Sequence, residues 1–306
     1  MKNKISAAIV VKNSPKYLNK TIESIYDFVD EIVIFDVGIN NNTKRALNQY
    51  EKIKIIKIKK EILYADLIRE SAQKYLTNNW CLHLDPDEIF PKGIINKISG
   101  CMDDYDCFSF PRKNIIFGKW VKYSRFWPDY QSRLFKKGKV FWPKRIHPQL
   151  IIEGREYLLE AREENAILHY NYENLNQWFE KFLRYAQVEA EYYFKNKKQL
   201  TFAETIKKAL SEFISRYFAA HGYKDGLIGL SLSILQMFYY FVVYFYYLEL
   251  KKFKEEITEN YSLLIKNFFQ NGFFETNFWL EKENLEGNLK KLKNKLINKL
   301  IKFLSR

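Results

Sequence analysis

Cysteine is scarce in this 306-residue chain: Cys81, Cys101 and Cys107 stand at no metal-ligand spacing. That excludes a disulfide framework and a cysteine-type zinc site, and it fits a reducing compartment. There is no His-x-x-x-His pair to replace the missing thiolates. The apolar run Ile5–Val11 is followed by Lys12-Asn13-Ser14-Pro15 and not by a small-residue cleavage site, so it reads as a first strand and not as a signal-peptide core. No internal repeat occurs, and no helix-turn-helix, zinc-finger or RNA-binding signature. A Gly-rich basic loop near the N-terminus, which a nucleotide-sugar pyrophosphorylase would need, is also missing. What the chain has in excess is apolar residues and positive charge. A content of 47% hydrophobic and 17% aromatic residues excludes a disordered protein. A net charge of +14 favours an anionic partner: nucleic acid, phosphorylated substrate or acidic lipid.

The first hundred residues alternate apolar runs with helical patterns, which predicts an α/β class with a mainly parallel, Rossmann-like sheet flanked by helices. Strands are expected at Ile5–Val11, Glu31–Phe35, Ile53–Ile58 and Trp80–Leu84, and helices after Ser14, which caps with Pro15 in the first turn, and over Ile62–Leu76. Between residues 104 and 170 the pattern turns to short aromatic strands such as Phe108-Ser109-Phe110 and Leu134-Phe135. From Leu175 onward everything reads as helix. The expected organisation is an α/β domain over 1–172 and a helical C-terminal region over 173–306.

Open parallel sheets bind ligands outside the carboxyl ends of their strands. Strand one ends on Lys12-Asn13, strand two on Asp36, and strand four on Asp85-Pro86-Asp87-Glu88, three carboxylates in four residues. Two carboxylates one residue apart at a strand end can share a hard divalent cation and leave positions open for phosphate oxygens. The plain alternative is an acidic turn cornered by Pro86.

These residues resemble glycosyltransferase family 2, inverting nucleotide-sugar-dependent enzymes of the GT-A fold, over roughly residues 4 to 172. Ile9-Val10-Val11-Lys12-Asn13 resembles the first strand and base-binding loop, and Asp30-Glu31-Ile32-Val33-Ile34-Phe35-Asp36 the second strand, whose terminal Asp contacts uracil or ribose in the family. Arg69 stands sixteen residues before Asp85, where the family places an Arg near the nucleotide. Asp85-Pro86-Asp87-Glu88 is similar to the family's Asp-Ala-Asp-Glu, with Asp87 as the expected direct ligand of a divalent cation, manganese or magnesium. Val37-Gly38-Ile39-Asn40-Asn41-Asn42-Thr43 departs from the usual Ser-Gly-Ser-Thr-Asp-Gly-Thr, and Glu70 replaces an Asn. Trp127-Pro128-Asp129-Tyr130-Gln131-Ser132-Arg133-Leu134-Phe135 resembles the bacterial branch that decorates lipopolysaccharide cores and surface glycans. Ile146-His147-Pro148-Gln149 resembles that branch's His-Glu segment, with Pro148 in place of the carboxylate.

The resemblance implies transfer of a sugar from a nucleotide-sugar donor to a saccharide or lipid-linked acceptor. Inverting displacement then needs a base, for which Asp129 is the first candidate, with Glu88 and Glu153 as alternatives. Asn13, Asp36, Arg69 and Asp85 are the expected nucleotide contacts, and Asp85 and Asp87 the metal ligands. Glu88, Gln131, Arg133 and His147 are expected acceptor or phosphate contacts, with Arg69, Lys12 or Arg133 supplying positive charge to the diphosphate. His147 and His169 by themselves read as buried, hydrogen-bonded histidines.

Gly226 to Leu248 contains no charged residue and meets the ~20-residue length of a bilayer span. Its five tyrosines, Ser231, Ser233 and Gln236 are spread along it, which favours a helix packed on the protein and a membrane surface over a simple span. Leu285, Leu289, Leu292, Leu296, Leu300 and Phe303 form one apolar face, with Lys290, Lys291, Lys293, Lys295, Lys299 and Lys302 elsewhere. Such a basic amphipathic helix is expected to hold an anionic membrane surface, on the cytoplasmic face of the cell membrane. The competing class is a non-enzymatic basic protein that binds nucleic acid or membrane; with no nucleic-acid signature present, no nucleic-acid partner is expected.

Overall fold

A computed structural model describes residues 3–58, 66–142, 150–254, 259–285, 297, 298 and 301. The chain divides into two compact units, one of residues 1–122 and 126–174, the other of 123–125 and 175–306.

The first unit is an α/β layer structure. Strands β1 (Ile5–Asn13), β2 (Glu31–Ile39), β3 (Ile53–Lys57) and β4 (Trp80–Leu84) pair in parallel, in the spatial order β4-β1-β2-β3. Helices α1 (Leu18–Ile25), α2 (Asn41–Leu47) and α3 (Asp66–Ala72) connect them. Strand β5 (Glu88–Ile89), α4 (Ile94–Ile98) and β6 (Cys107–Phe110) follow, then β7 (Arg112–Ile116), β8 (Lys119–Trp120) and β9 (Gln131–Lys136). After these come β10 (Val140–Phe141), β11 (Ile151–Ile152), β12 (Glu156–Leu158) and β13 (Ile167–Tyr172). The main sheet runs β12-β6-β9-β4-β1-β2-β3, with β9 antiparallel to both β4 and β6. A second sheet, β5-β13-β7-β8, carries half of the candidate site. This is the mainly parallel, helix-flanked sheet that the alternating pattern predicts.

Strand periodicity explains the two cores. Ile5, Ala7, Ile9 and Val11 point to one face and pack with Ile22, Ile25 and Leu82, whereas Ala8 points to the other with Val33, Phe35 and Phe135. Cys81 and Cys107 belong to that second face, and burial pushes both thiols up to about 12, so they are inert core residues. Helix α1 starts at Leu18, later than the Ser14 cap predicts. Pro15 to Leu18 forms a turn instead, and the Ser14 hydroxyl accepts from Thr43 Oγ1 at 2.9 Å.

The second unit is helical: α5 (Leu175–Lys195), α6 (Phe202–Ile214), α7 (Leu227–Leu250) and α8 (Tyr261–Lys282). The start of α6 is closed by a capping box between Thr201 and Glu204, and the Glu259 carboxylate accepts the Phe202 and Ala203 N–H groups at 2.9 and 3.0 Å. Helix α7 packs on α5 and α6, burying Leu232, Val243, Tyr244 and Tyr247. At its start a Cβ on Gly229 would stand 1.9 Å from the Gly222 carbonyl oxygen, so the approach of backbone to backbone requires glycine there. Among the described residues α7 is the one helix long and apolar enough to cross a bilayer.

Candidate active site

Parallel pairing brings Val11 opposite Asp36 and Ile9 opposite Leu84, so the carboxyl ends of β1, β2 and β4 share one sheet edge. Asp36 is buried, and its Oδ1 accepts the N–H groups of Gly38 at 2.9 Å and Ile39 at 2.8 Å. Burial pushes its carboxyl up, but these two donors, with Lys44 and Lys57, outweigh that and hold it below its ordinary value. Gly38 sits at φ +121°, open to glycine and strained for other residues, which is how the chain turns back onto the Asp36 carboxylate. Asn13, exposed, adopts the left-handed region at φ 58°, one of the few residue types that does so readily.

Asp85 is the first residue past β4. Its Oδ1 accepts from Arg69 Nη2, and its Oδ2 from Arg133 Nη2 at 2.9 Å. Burial opposes ionisation here, and the two guanidiniums win decisively, holding the carboxyl far below the usual range. Glu88 is fully buried, its Oε1 accepting from Arg133 Nη2 at 2.6 Å and Arg112 Nη1 at 3.2 Å, and its Oε2 from the Asp85 N–H at 3.1 Å. On Arg112 the remaining donors, Nε and Nη2, reach Asp129 Oδ2 at 2.8 and 2.5 Å. The same oxygen accepts from Asn114 Nδ2 at 3.0 Å, and Asp129 Oδ1 from Gln131 Nε2 at 3.0 Å. Asn114 Oδ1 lies 2.7 Å from His169 Nδ1, and His169 Nε2 lies 3.7 Å from Asp87 Oδ2. The result is one continuous polar network from Arg69 to Asp87, in which three carboxylates face three guanidiniums and Asp87 faces His169.

Register explains why the network closes. Strand β13 sets His169 opposite Glu88 of β5 on one side and opposite Asn114 of β7 on the other. Arg112 and Asn114, two residues apart on β7, share a face. His83 of β4, between the apolar residues of the same strand, is a neutral core group: it stacks on Trp142 at 5.2 Å, and burial pushes its pKa well below the ordinary value.

The structure therefore gathers Arg69, Asp85, Asp87, Glu88, Asp129, Gln131 and Arg133 into one network and places Asn13 and Asp36 at the neighbouring strand ends. Two expectations change. Arg69 and Arg133 are not spare cations for a diphosphate, because both are committed to Asp85, and Arg133 also to Glu88. Glu88, expected at the acceptor, has no exposed surface from which to reach one. Glu153, the other alternative base, is exposed past β11, and among the described residues its one hydrogen bond is from its backbone N–H to Lys139. His147, Pro148 and Gln149 lie outside the described residues. Arg112, Asn114 and His169 carry the network, yet nothing in their local sequence marks them. Their one signal is a polar residue in an otherwise strand-like apolar run.

Among the described residues no group of three His, Cys, Asp or Glu side chains is arranged to hold a metal ion. A cation would have to rest on fewer protein ligands and on the substrate. Asp85 has both oxygens bound to arginine, whereas the Asp87 side chain is 34% exposed and stands beside His169 Nε2. Carboxylate oxygen suits manganese and magnesium, and imidazole nitrogen is a ligand of first-row divalent metals, the series to which manganese belongs. A cavity of about 590 Å³ in the second unit, lined by Ile206, Leu210, Leu264, Phe268 and Trp279 among others, offers no such cluster.

Residues 6–154 match Glycosyl transferase family 2. A protein of Rickettsia conorii described as an uncharacterized glycosyltransferase is 23% identical over 288 residues, covering 89% of this chain and 97% of its own. Among solved structures, Staphylococcus aureus TarS aligns at a TM-score of 0.42 and 14% identity, covering 80% of this chain; the chain spans 54% of TarS. A mannosyltransferase of Pyrobaculum calidifontis, solved with GDP-Man and Mn2+, aligns at 0.45 and 11% identity, covering 80% of this chain and 87% of its own. The family 2 match is carried by residues 6–154, and the chain is a transferase and not a non-enzymatic basic protein.

Proposed function

We propose that this chain is a family 2 glycosyltransferase that moves a sugar from a nucleotide-diphosphate sugar, UDP-linked first, onto a saccharide or lipid-linked acceptor of a bacterial surface glycan or lipopolysaccharide. The reaction is a single inverting displacement assisted by a divalent cation. The observation that carries this reading is the division of labour in Asp85-Pro86-Asp87: Asp85 is neutralised by two arginines, while Asp87 presents a carboxylate 3.7 Å from an imidazole nitrogen. Asp87 and His169 are the residues that would hold manganese or magnesium. A cation there supplies Lewis-acid neutralisation of the leaving diphosphate.

The other roles belong to the chain itself. Asp36 and Asn13 meet the nucleoside, with Asp36 Oδ2 left for a donor hydroxyl or base N–H because only its Oδ1 is engaged by the loop. Arg69 and Asp85 act as a pair that shapes the pocket floor. Lys12, exposed and without a polar partner among the described residues, is the remaining cation for the diphosphate. Asp129, paired with Arg112, serves as base through Oδ1, whose one donor among the described residues is Gln131, while Oδ2 accepts three hydrogen bonds. The enzyme works on the cytoplasmic face of the cell membrane. The support for that is the exposed apolar side of α7, Leu227, Ile234, Phe238 and Phe245, followed by Lys251, Lys252 and Lys254, together with the basic repeat of residues 285–304. That repeat lies almost entirely outside the described residues.

A panel of nucleotide sugars, scored by release of free nucleoside diphosphate with and without manganese, tests the reading. One donor should be turned over, and only with the cation. Equal turnover in a chelator removes the metal from the mechanism, and turnover of no donor by intact protein with lipid-linked acceptors removes the function.

A further inference from the structure

Asn114 is completely buried, and its surroundings leave its amide one orientation. Nδ2 donates to the Phe126 carbonyl oxygen at 3.1 Å and to Asp129 Oδ2 at 3.0 Å. Both partners only accept, so a flipped amide would aim its oxygen at two other oxygens. Oδ1 therefore faces His169 Nδ1 at 2.7 Å. A carbonyl oxygen cannot donate, so the proton of that hydrogen bond sits on Nδ1.

The other ring nitrogen looks at a competitor. Asp87 Oδ2 is 3.7 Å from Nε2, and a carboxylate in that position draws the imidazole proton to its own side. The resulting Nε2–H···O bond would tie up both groups. In the neutral ring Asn114 and Asp87 thus compete for one proton, and the 2.7 Å contact prevails over the 3.7 Å one. Strand pairing, which sets His169 directly opposite Asn114, builds the outcome into the backbone.

We infer that Asn114 is the positioning residue of the cation site: it keeps the proton on His169 Nδ1, so that Nε2 offers a lone pair beside the Asp87 carboxylate. Phe126 and Asp129 orient Asn114 in turn, which links the proposed base to the cation through one amide. This inference rests on the reading of Asp87 and His169 as cation ligands. Ligating histidines normally donate their second N–H to an oxygen, and loss of such an outer partner weakens metal affinity about 10- to 100-fold.

The test uses the full chain and Mn(II) alone as probe. The chain has four histidines, so the His169 signals in a long-range 1H–15N spectrum of metal-free protein can be assigned by their loss in His169→Gln. Wild type should show Nδ1 protonated; a wild-type ring protonated on Nε2 alone overturns the inference without any Asn114 variant having to fold. Pulsed EPR of bound Mn(II) should show nitrogen modulation that disappears in His169→Gln. Its absence from wild type overturns the cation-site reading, and the inference with it. With modulation present, Asn114→Leu should move the proton to Nε2 and weaken Mn(II) binding about 10- to 100-fold. Modulation in wild type with tautomer and affinity unchanged in Asn114→Leu leaves the site standing and sinks the role of Asn114.

Discussion

The two units treat apolar and polar groups in opposite ways. In the first, apolar side chains fill both faces of a sheet, and even fully buried charges such as Glu88 are matched by arginines. In the second, helices are held together by a smaller core, and large apolar residues remain on the outside, including Leu227 at 78% and Phe269 at 67% exposure. A buried charge is tolerated only where its partners are fixed in place, so the first unit is built to hold an electrostatic arrangement rigid. Apolar surface left in water marks a region whose partner lies outside it. The proposed function places chemistry in the first unit and attachment in the second, and each substitution below tries to break that proposal.

The largest effect should come from Asp87→Asn, which removes one charge and almost no volume. Transfer should be abolished at saturating donor and manganese while vesicle binding is unchanged. Near wild-type turnover would take the cation away from this residue. Asp129→Asn comes next, lowering turnover about 10²- to 10⁴-fold as general-base loss predicts, with donor binding retained. A mild decrease would return the search to residues 143–149, which hold His147.

Glu88→Gln addresses the rigid half of the comparison. It leaves Arg112 and Arg133 with a buried guanidinium each and one fewer countercharge, a defect of about 3–5 kcal/mol. Urea unfolding of the variant should show that loss of stability at an unchanged slope. Stability within 1 kcal/mol of wild type would mean that water reaches the network, contrary to the burial seen here.

The smallest expected effect concerns attachment. Phe238→Glu lies on the exposed side of α7, so it should leave folding and donor turnover in solution intact. If α7 lies against lipid, losing that contact costs about 1.5–3 kcal/mol, roughly ten-fold or more in affinity for anionic vesicles. Unchanged vesicle binding would point instead to a protein partner for this face. Salt should release part of the intact protein by screening its lysines, but it should not rescue Phe238→Glu.

Much of this was legible without coordinates. Alternating apolar runs announced the parallel sheet, because a strand buried on both faces needs continuous hydrophobic residues. The strand ends then named Asp36, Asp85 and Asp87, since side chains at the carboxyl edge of such a sheet converge. The start of α1 misled because Ser14-Pro15 fits a cap equally well as a turn, and only contact with Thr43 settles which it is.

What the sequence by itself determined is the class of fold, the resemblance to family 2 glycosyltransferases and the polar sheet edge, all of which depend on residues near one another along the chain. Only the tertiary structure decided which charges are spent and which remain. Arg69 and Asp85 are sixteen positions apart and meet because helix α3 brings Arg69 to the end of β4, whereas Asn114 and His169, fifty-five apart, are made neighbours by strand register. A carboxylate's availability depends on its partners' distances and on its burial, and neither is a property of local sequence.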